Sequence, residues 1–169
     1  NIVKAIAQFE RTLISANSDY DKGLLTDQEK QGLILFNKHC RSCHAGELFT
    51  DNDYHNNGID SDFSNSAYDG IYQGRFRVTY DAADLGKFKT PTLRNIALTA
   101  PYMHDGRFIS LQEVVQHYSK GIKVSSTTDT ILLHRKPLNS EEQTAIIAFL
   151  HSPTDSTFIH DKNLSHIQL

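Results

Sequence analysis

The residues whose types and spacing point to chemistry are Cys40-Arg41-Ser42-Cys43-His44. Two thiols three positions apart, followed at once by an imidazole, form the C-x-x-C-H pattern of covalent haem attachment. The spacing has a mechanical reason. The thiols add to the two vinyl groups along one porphyrin edge, and the next residue then reaches the iron from one face. A proximal imidazole is a common axial ligand of haem iron. Two other readings compete. A thioredoxin-like dithiol calls for a strand ahead of the motif, whereas the residues ahead of Cys40 follow a helical period. A zinc site needs four ligands. Cys40, Cys43, His39 or His44, and His55 could be gathered, but no second C-x-x-C or H-x3-H accompanies them.

The chain has only these two cysteines in 169 residues, so they are no disulfide framework. That length suits one domain with a core of its own. With 38% apolar and 22% charged residues the composition is that of an ordinary globular domain. A net charge of −3 gives no basic surface for nucleic acid or anionic lipid. No apolar run is long enough for a membrane span. The chain opens on Asn1 inside a helical pattern, without a visible signal peptide, and reads as processed or cut from something longer.

The elements that must position the motif are helical. Ile2, Ile6, Phe9 and Leu13 mark one apolar face over residues 2–15, and residues 16–25 read as a loop. Thr26-Asp27-Gln28-Glu29 is a capping box that opens a helix running into Cys40. Ser110-Leu111-Gln112-Glu113 opens another, with Leu111, Val114, Val115 and Tyr118 on one stripe and Gly121 as its stop. Ser140-Glu141-Glu142-Gln143 opens a third, with Ile146, Ile147, Phe149 and Leu150 inside and Pro153 beyond its end. Residues 46–90 are rich in Asn, Asp, Gly and Ser with scattered aromatics. Such long loops suit a chain wrapped around a large ligand. A hairpin around 72–80 and a short helix over Thr92–Ala97, after Pro91, are expected there. Residues 122–139 read as loop. The fold class is mainly α, a cytochrome c-like haem domain over 1–155 with long irregular loops, followed by a polar tail over 156–169.

Longer stretches carry a resemblance. Phe9-Glu10-Arg11-Thr12-Leu13, the Leu35-Phe36…Cys40-x-x-Cys43-His44-x-Gly46 block and Phe88-Lys89-Thr90-Pro91-Thr92-Leu93-Arg94-Asn95 are followed by Thr99-Ala100-Pro101-Tyr102-Met103-His104-Asp105-Gly106. With the closing Glu142…Ala148-Phe149-Leu150 helix, these make the chain similar to the C-terminal haem domain of the bacterial di-haem cytochrome c peroxidase / MauG family. The resemblance implies an oxidoreductase domain carrying one covalent haem c. In that family it takes electrons from a small donor protein, a cytochrome or cupredoxin, and passes them to a second haem on an N-terminal peroxidatic domain. There hydrogen peroxide is reduced. Only one C-x-x-C-H is present here, so that partner domain is missing from the chain. A free-standing monohaem electron carrier is the alternative. Haem attachment implies export to the periplasm or cell envelope, and a homodimer is compatible with the reading.

The resemblance also suggests ligands. Met103 is the chain's only methionine and one candidate for the distal side of the iron. Tyr118 is the other. It matches the family's axial position, a methionine in the peroxidases and a tyrosine in the MauG-like branch. A phenolate favours oxidised iron, and a thioether favours the reduced state. The ordinary alternatives are core packing for Tyr118 and pocket packing for Met103. Thr99 and Pro101 match positions whose backbone carbonyls bind calcium in the family. Arg94 is a candidate partner for a haem propionate, weighed against an ordinary salt bridge. His104 reads as a packed neutral histidine. Asp51, Asp53, Asp60 and Asp62 lack EF-hand spacing.

Overall fold

The computed structural model describes residues 1–64 and 67–165. Among the described residues, eight α-helical segments and four 3₁₀ turns carry the fold. In chain order the helices are α1 (Ile2–Glu10), α2 (Asp19–Lys22), α3 (Asp27–His39), α4 (Phe76–Thr79), α5 (Leu111–Lys120), α6 (Ser140–His151), α7 (Ser156–Ile159) and α8 (Lys162–Ser165). The mainly α class with long irregular loops is what the structure shows. No helix among the described residues is long and apolar enough to cross a membrane.

Helices α2, α3, α5, α6 and α7 start where a side chain can cap them. Thr26 accepts from the Glu29 amide and Ser110 from the Glu113 amide, and both boxes are closed reciprocally. Such a cap satisfies a helix-end donor that would otherwise be bare. The third box falls one residue earlier than the sequence suggested. Asn139, not Ser140, is the cap of α6, and it pairs with Glu142. Asn is as good a cap as Ser, so a run of candidates is resolved by which one reaches the N3 amide. A fourth box, Ser18 with Asp21, opens α2 inside the expected 16–25 loop.

The core lies where α3, α5 and α6 meet. Leu35 and Phe36 of α3, Leu111 and Val115 of α5, and Ile146, Phe149 and Leu150 of α6 are buried together with Phe49 and Tyr102. Phe36 and Phe149 meet with ring centroids 5.0 Å apart, and Phe49 stands edge-on to Phe36 at 5.7 Å. Such aromatic pairs add to the stabilisation from burying their area. Helices α3 and α6 approach closely because residue 32 is glycine. A Cβ there would lie 2.7 Å from the Ala145 carbonyl carbon and 2.8 Å from Phe149 Cβ.

The stretch from 46 to 90 is closed at its ends rather than folded on itself. Strand β1 (Tyr54–His55) pairs antiparallel with β2 (Phe88–Lys89). The Thr90 amide donates to Asp53 O at 2.9 Å, and Thr50 Oγ1 donates to Thr90 O at 2.7 Å. The hairpin expected around 72–80 does not form. A 3₁₀ stretch over Ala67–Gln73 is followed by the single turn α4, which ends on Tyr80 with φ 55°. Gly74 bridges Lys87 instead, which uses the backbone groups a local hairpin would need. After Pro91 the expected helix is only one 3₁₀ turn, Ile96–Leu98. Residues 156–165 of the polar tail hold α7 and α8, and 166–169 lie outside the described residues. Helix α7 is capped by the buried carboxylate of Asp155, which also accepts from the Ala16 and Asn17 amides at 3.0 and 2.9 Å.

Candidate functional site

The C-x-x-C-H residues sit on the turn that ends α3. Cys40 is the C-cap, its amide donating to Phe36 O at 2.7 Å. The His44 amide then donates to Cys40 O at 3.0 Å, which folds the motif back on itself. Both cysteines are free thiols. Burial pushes the Cys40 thiol up to about 11, and Cys43 is raised for the same reason. Both therefore stand protonated at neutral pH rather than poised as thiolates for exchange.

His44 is held by the backbone carbonyl of Phe49 and lies at the cavity wall. Its Nδ1 lies 2.8 Å from Phe49 O, the geometry of an Nδ1–H donating to that carbonyl. This tautomer puts the lone pair on Nε2, the nitrogen that would bind a metal. Burial lowers the His44 pKa, the direction that keeps the ring neutral and ligating. Phe49 itself is fully buried and has φ 54°, so the chain bends sharply to present that carbonyl.

These residues line a cavity of about 500 Å³, within the range of small-molecule and cofactor sites. Its wall is largely apolar and includes Leu93, Leu111, Val115, Ile146 and Leu150. The cavity gathers Cys40, Cys43 and His44 from the end of α3, Tyr118 from α5, and Met103, Thr99 and Pro101 from the connection between them. Asn57 stands between the two candidate distal ligands, its Nδ2 3.4 Å from Met103 Sδ and 3.4 Å from Tyr118 Oη. Two buried atoms at the cavity, Asn57 Oδ1 and His104 Nε2, have no hydrogen-bond partner among the described residues. An apolar hollow holding two thiols, an aimed imidazole and unpaired polar atoms fits a haem bound through Cys40, Cys43 and His44.

Arg94 is placed elsewhere. Its Nη1 lies 2.7 Å from both oxygens of Asp21, its Nε donates to Glu47 O at 3.0 Å, and it is not part of the cavity wall. The guanidinium is spent on this inward-facing pair, so the propionate role expected for Arg94 is corrected. Burial would raise the Asp21 pKa, and the hydrogen bonds from Arg94 and Ser18 outweigh it and lower it. The cations that do line the cavity are Lys89, Arg135 and Lys136. His104 is packed as expected, stacked on Phe88 at 3.9 Å between ring centroids.

Sequence reasoning missed Asn57 and Arg135, and named His55 only as a possible zinc ligand. Asn57 lay in a loop without period. His55, also at the cavity wall, is held between Asp129 through Nδ1 and Asp51 through Nε2, the latter at 2.9 Å. Burial alone would lower its pKa, but the two carboxylates raise it. Arg135 sits in the 122–139 connection. The signals that join these groups are long-range contacts, such as His55 to Asp129, which no local pattern carries.

No family model matches the chain. Among curated proteins it is similar to the cytochrome-c peroxidase IdrP1 of Pseudomonas sp. (strain SCT), 35% identical over 94% of this chain and 50% of that protein. It is likewise similar to the methylamine utilization protein MauG of Methylorubrum extorquens, 32% identical over 90% of this chain and 43% of that protein. The chain thus spans about half the length of the curated relatives it matches. A crystal structure of a MauG-like protein associated with microbial copper homeostasis superposes with a TM-score of 0.80 at 32% identity, covering 89% of this chain and 55% of that one. Sequence, fold and the cysteine–histidine cavity agree, and the chain belongs to the bacterial cytochrome c peroxidase / MauG family of haem oxidoreductases.

Proposed function

We propose that this chain is the electron-accepting haem domain of a two-haem peroxidase or MauG-like oxidase, carrying one covalent haem c. The observation that supports it most is the His44 ring. Its Nδ1 is tied to Phe49 O, and the ring lines an apolar cavity beside two free thiols. Cys40 and Cys43 would attach the porphyrin edge and His44 would ligate the iron. Tyr118 would supply the second iron ligand, with Met103 as the alternative. Lys89, Arg135 and Lys136 supply the charge that would pair haem carboxylates. Bound haem supplies one-electron chemistry at iron, and the apolar wall keeps water from it.

A small donor protein, a cytochrome or cupredoxin, would supply electrons to this domain, and a peroxidatic domain that reduces hydrogen peroxide would take them. The carbonyls of Thr99 and Pro101 would contribute to a calcium site completed by that second domain. Maturation takes place after export, in the periplasm.

The test is expression with an export signal and a cytochrome c maturation system, followed by haem staining of the denatured chain. The expected result is a haem-stained band that disappears in the Cys40→Ser, Cys43→Ser double variant. A colourless chain of unmodified mass would overturn the proposal. Reduction of the stained chain by a reduced small cytochrome, with slow peroxide turnover in isolation, supports the electron-accepting role. Rapid peroxide turnover by the chain alone would refute that role.

A further inference from the structure

The segment 56–58 runs past both candidate distal ligands and is tied down on each side. Asn56 Nδ2 donates to Thr127 Oγ1 at 2.9 Å, and the Lys123 amide donates to Gly58 O at 2.7 Å. Between them, the Asn57 carbonyl accepts from His117 Nε2 at 3.0 Å, the residue next to Tyr118. The backbone of Asn57 is therefore fixed relative to α5. Its side chain points into the cavity, with Nδ2 toward Tyr118 and Met103 and a buried Oδ1 that has no partner.

A primary amide carries a donor and an acceptor on one carbon. A phenolate bound to iron only accepts hydrogen bonds, whereas a free phenol can also donate one. The amide serves the first state through Nδ2 and the second through Oδ1, by a half-turn about its Cβ–Cγ bond. The unpaired Oδ1 is what such a two-state partner leaves over when Nδ2 faces the tyrosine. An aliphatic side chain would offer neither contact, and a carboxylate would offer only the acceptor. A hydrogen bond to a ligating oxygen also draws charge from it, which weakens its donation to the metal and favours the reduced ion.

We propose that Asn57 is the positioning residue of the distal ligand: its amide donates to the Tyr118 oxygen when that oxygen binds iron, and so raises the haem potential. The proposal rests on the tyrosine reading given above. It is tested on the haem-loaded chain by comparing parent, Asn57→Leu, the near-isosteric Asn57→Asp and Tyr118→Phe. The readouts are the ferric absorption spectrum and the midpoint potential. Asn57→Leu is expected to keep covalent haem and shift the reduction equilibrium toward ferric by about tenfold, which is ~59 mV for one electron. Asn57→Asp is expected to lose the tyrosinate–iron spectrum, because a carboxylate would face an anionic oxygen. If Tyr118→Phe changes the parent spectrum while both Asn57 variants keep the parental spectrum and potential, Asn57 has no such role. If Tyr118→Phe leaves the parent spectrum intact, tyrosine ligation is overturned and this proposal with it.

Discussion

Replacing Gly32 by alanine sets two effects of known sign against each other at the α3–α6 crossing. Inside a helix, alanine is favoured over glycine by roughly 0.5–1 kcal/mol. Against this, the new Cβ would stand 2.7 Å from the Ala145 carbonyl carbon and 2.8 Å from Phe149 Cβ. Carbon pairs are comfortable at about 3.5–4.0 Å, so the helices must part by close to 1 Å. A gap of that size forfeits a quarter to a half of the attraction of each facing pair. The facing residues are Phe36, Ile146 and Phe149, all almost wholly buried. Overpacking of this kind costs about 1–3 kcal/mol and more where backbone meets backbone, as it does here. The net expectation is a loss of about 2–3 kcal/mol, measured by urea denaturation of the haem-loaded chain. Gly23→Ala is the control. Gly23 has φ +69° and nothing within 4 Å of a Cβ, so only its backbone conformation is penalised, at roughly 1 kcal/mol. A Gly32→Ala chain as stable as the parent, or more so, would refute the close-approach argument.

Two further outcomes follow from buried carboxylates. Burial pushes the Asp155 carboxyl up, but donors from Thr157, Phe158, Asn17 and Ala16 hold it well below the usual carboxylate range. Its stabilisation is thus complete above the unfolded value of about 3.9 and lost as pH falls through that value toward the folded one. Asp155→Asn should lower stability at pH 7 by about 3 kcal/mol and flatten its dependence below pH 4, read from denaturation midpoints across pH. A parental acid profile in the variant would contradict this assignment. Arg94→Leu leaves Asp21 without its guanidinium and should destabilise the chain by about 1 kcal/mol while leaving haem content and potential at parental values. A shifted potential would restore the propionate role instead.

The helical frame was legible because its signals are local. Thr26, Ser110 and the Leu111–Tyr118 stripe each declare an element within one or two turns. The Asn139 start of α6 was off by one because two adjacent residues can cap equally well. The haem motif was legible for the same reason, since Cys40, Cys43 and His44 are adjacent. The support around it was not. Phe49 O behind His44 depends on a backbone bend, and His55 with Asp129 depends on two loops meeting. Arg94 was misassigned because its type suits a carboxylate of either origin, and only the fold reveals that Asp21 is nearer.

Helix α6 packs against both α3, which carries the attachment motif, and α5, which carries Tyr118. The two sides of the cavity are therefore gauged from one shared rod. Insertions within the 46–90 connection that spare Phe49, the 54–58 segment and the 88–90 segment would leave the spacing of His44 from Tyr118 unaltered. A change in α6 would move both ligands at once, which makes it the least forgiving part of the chain even though its main contribution at the cavity is apolar wall.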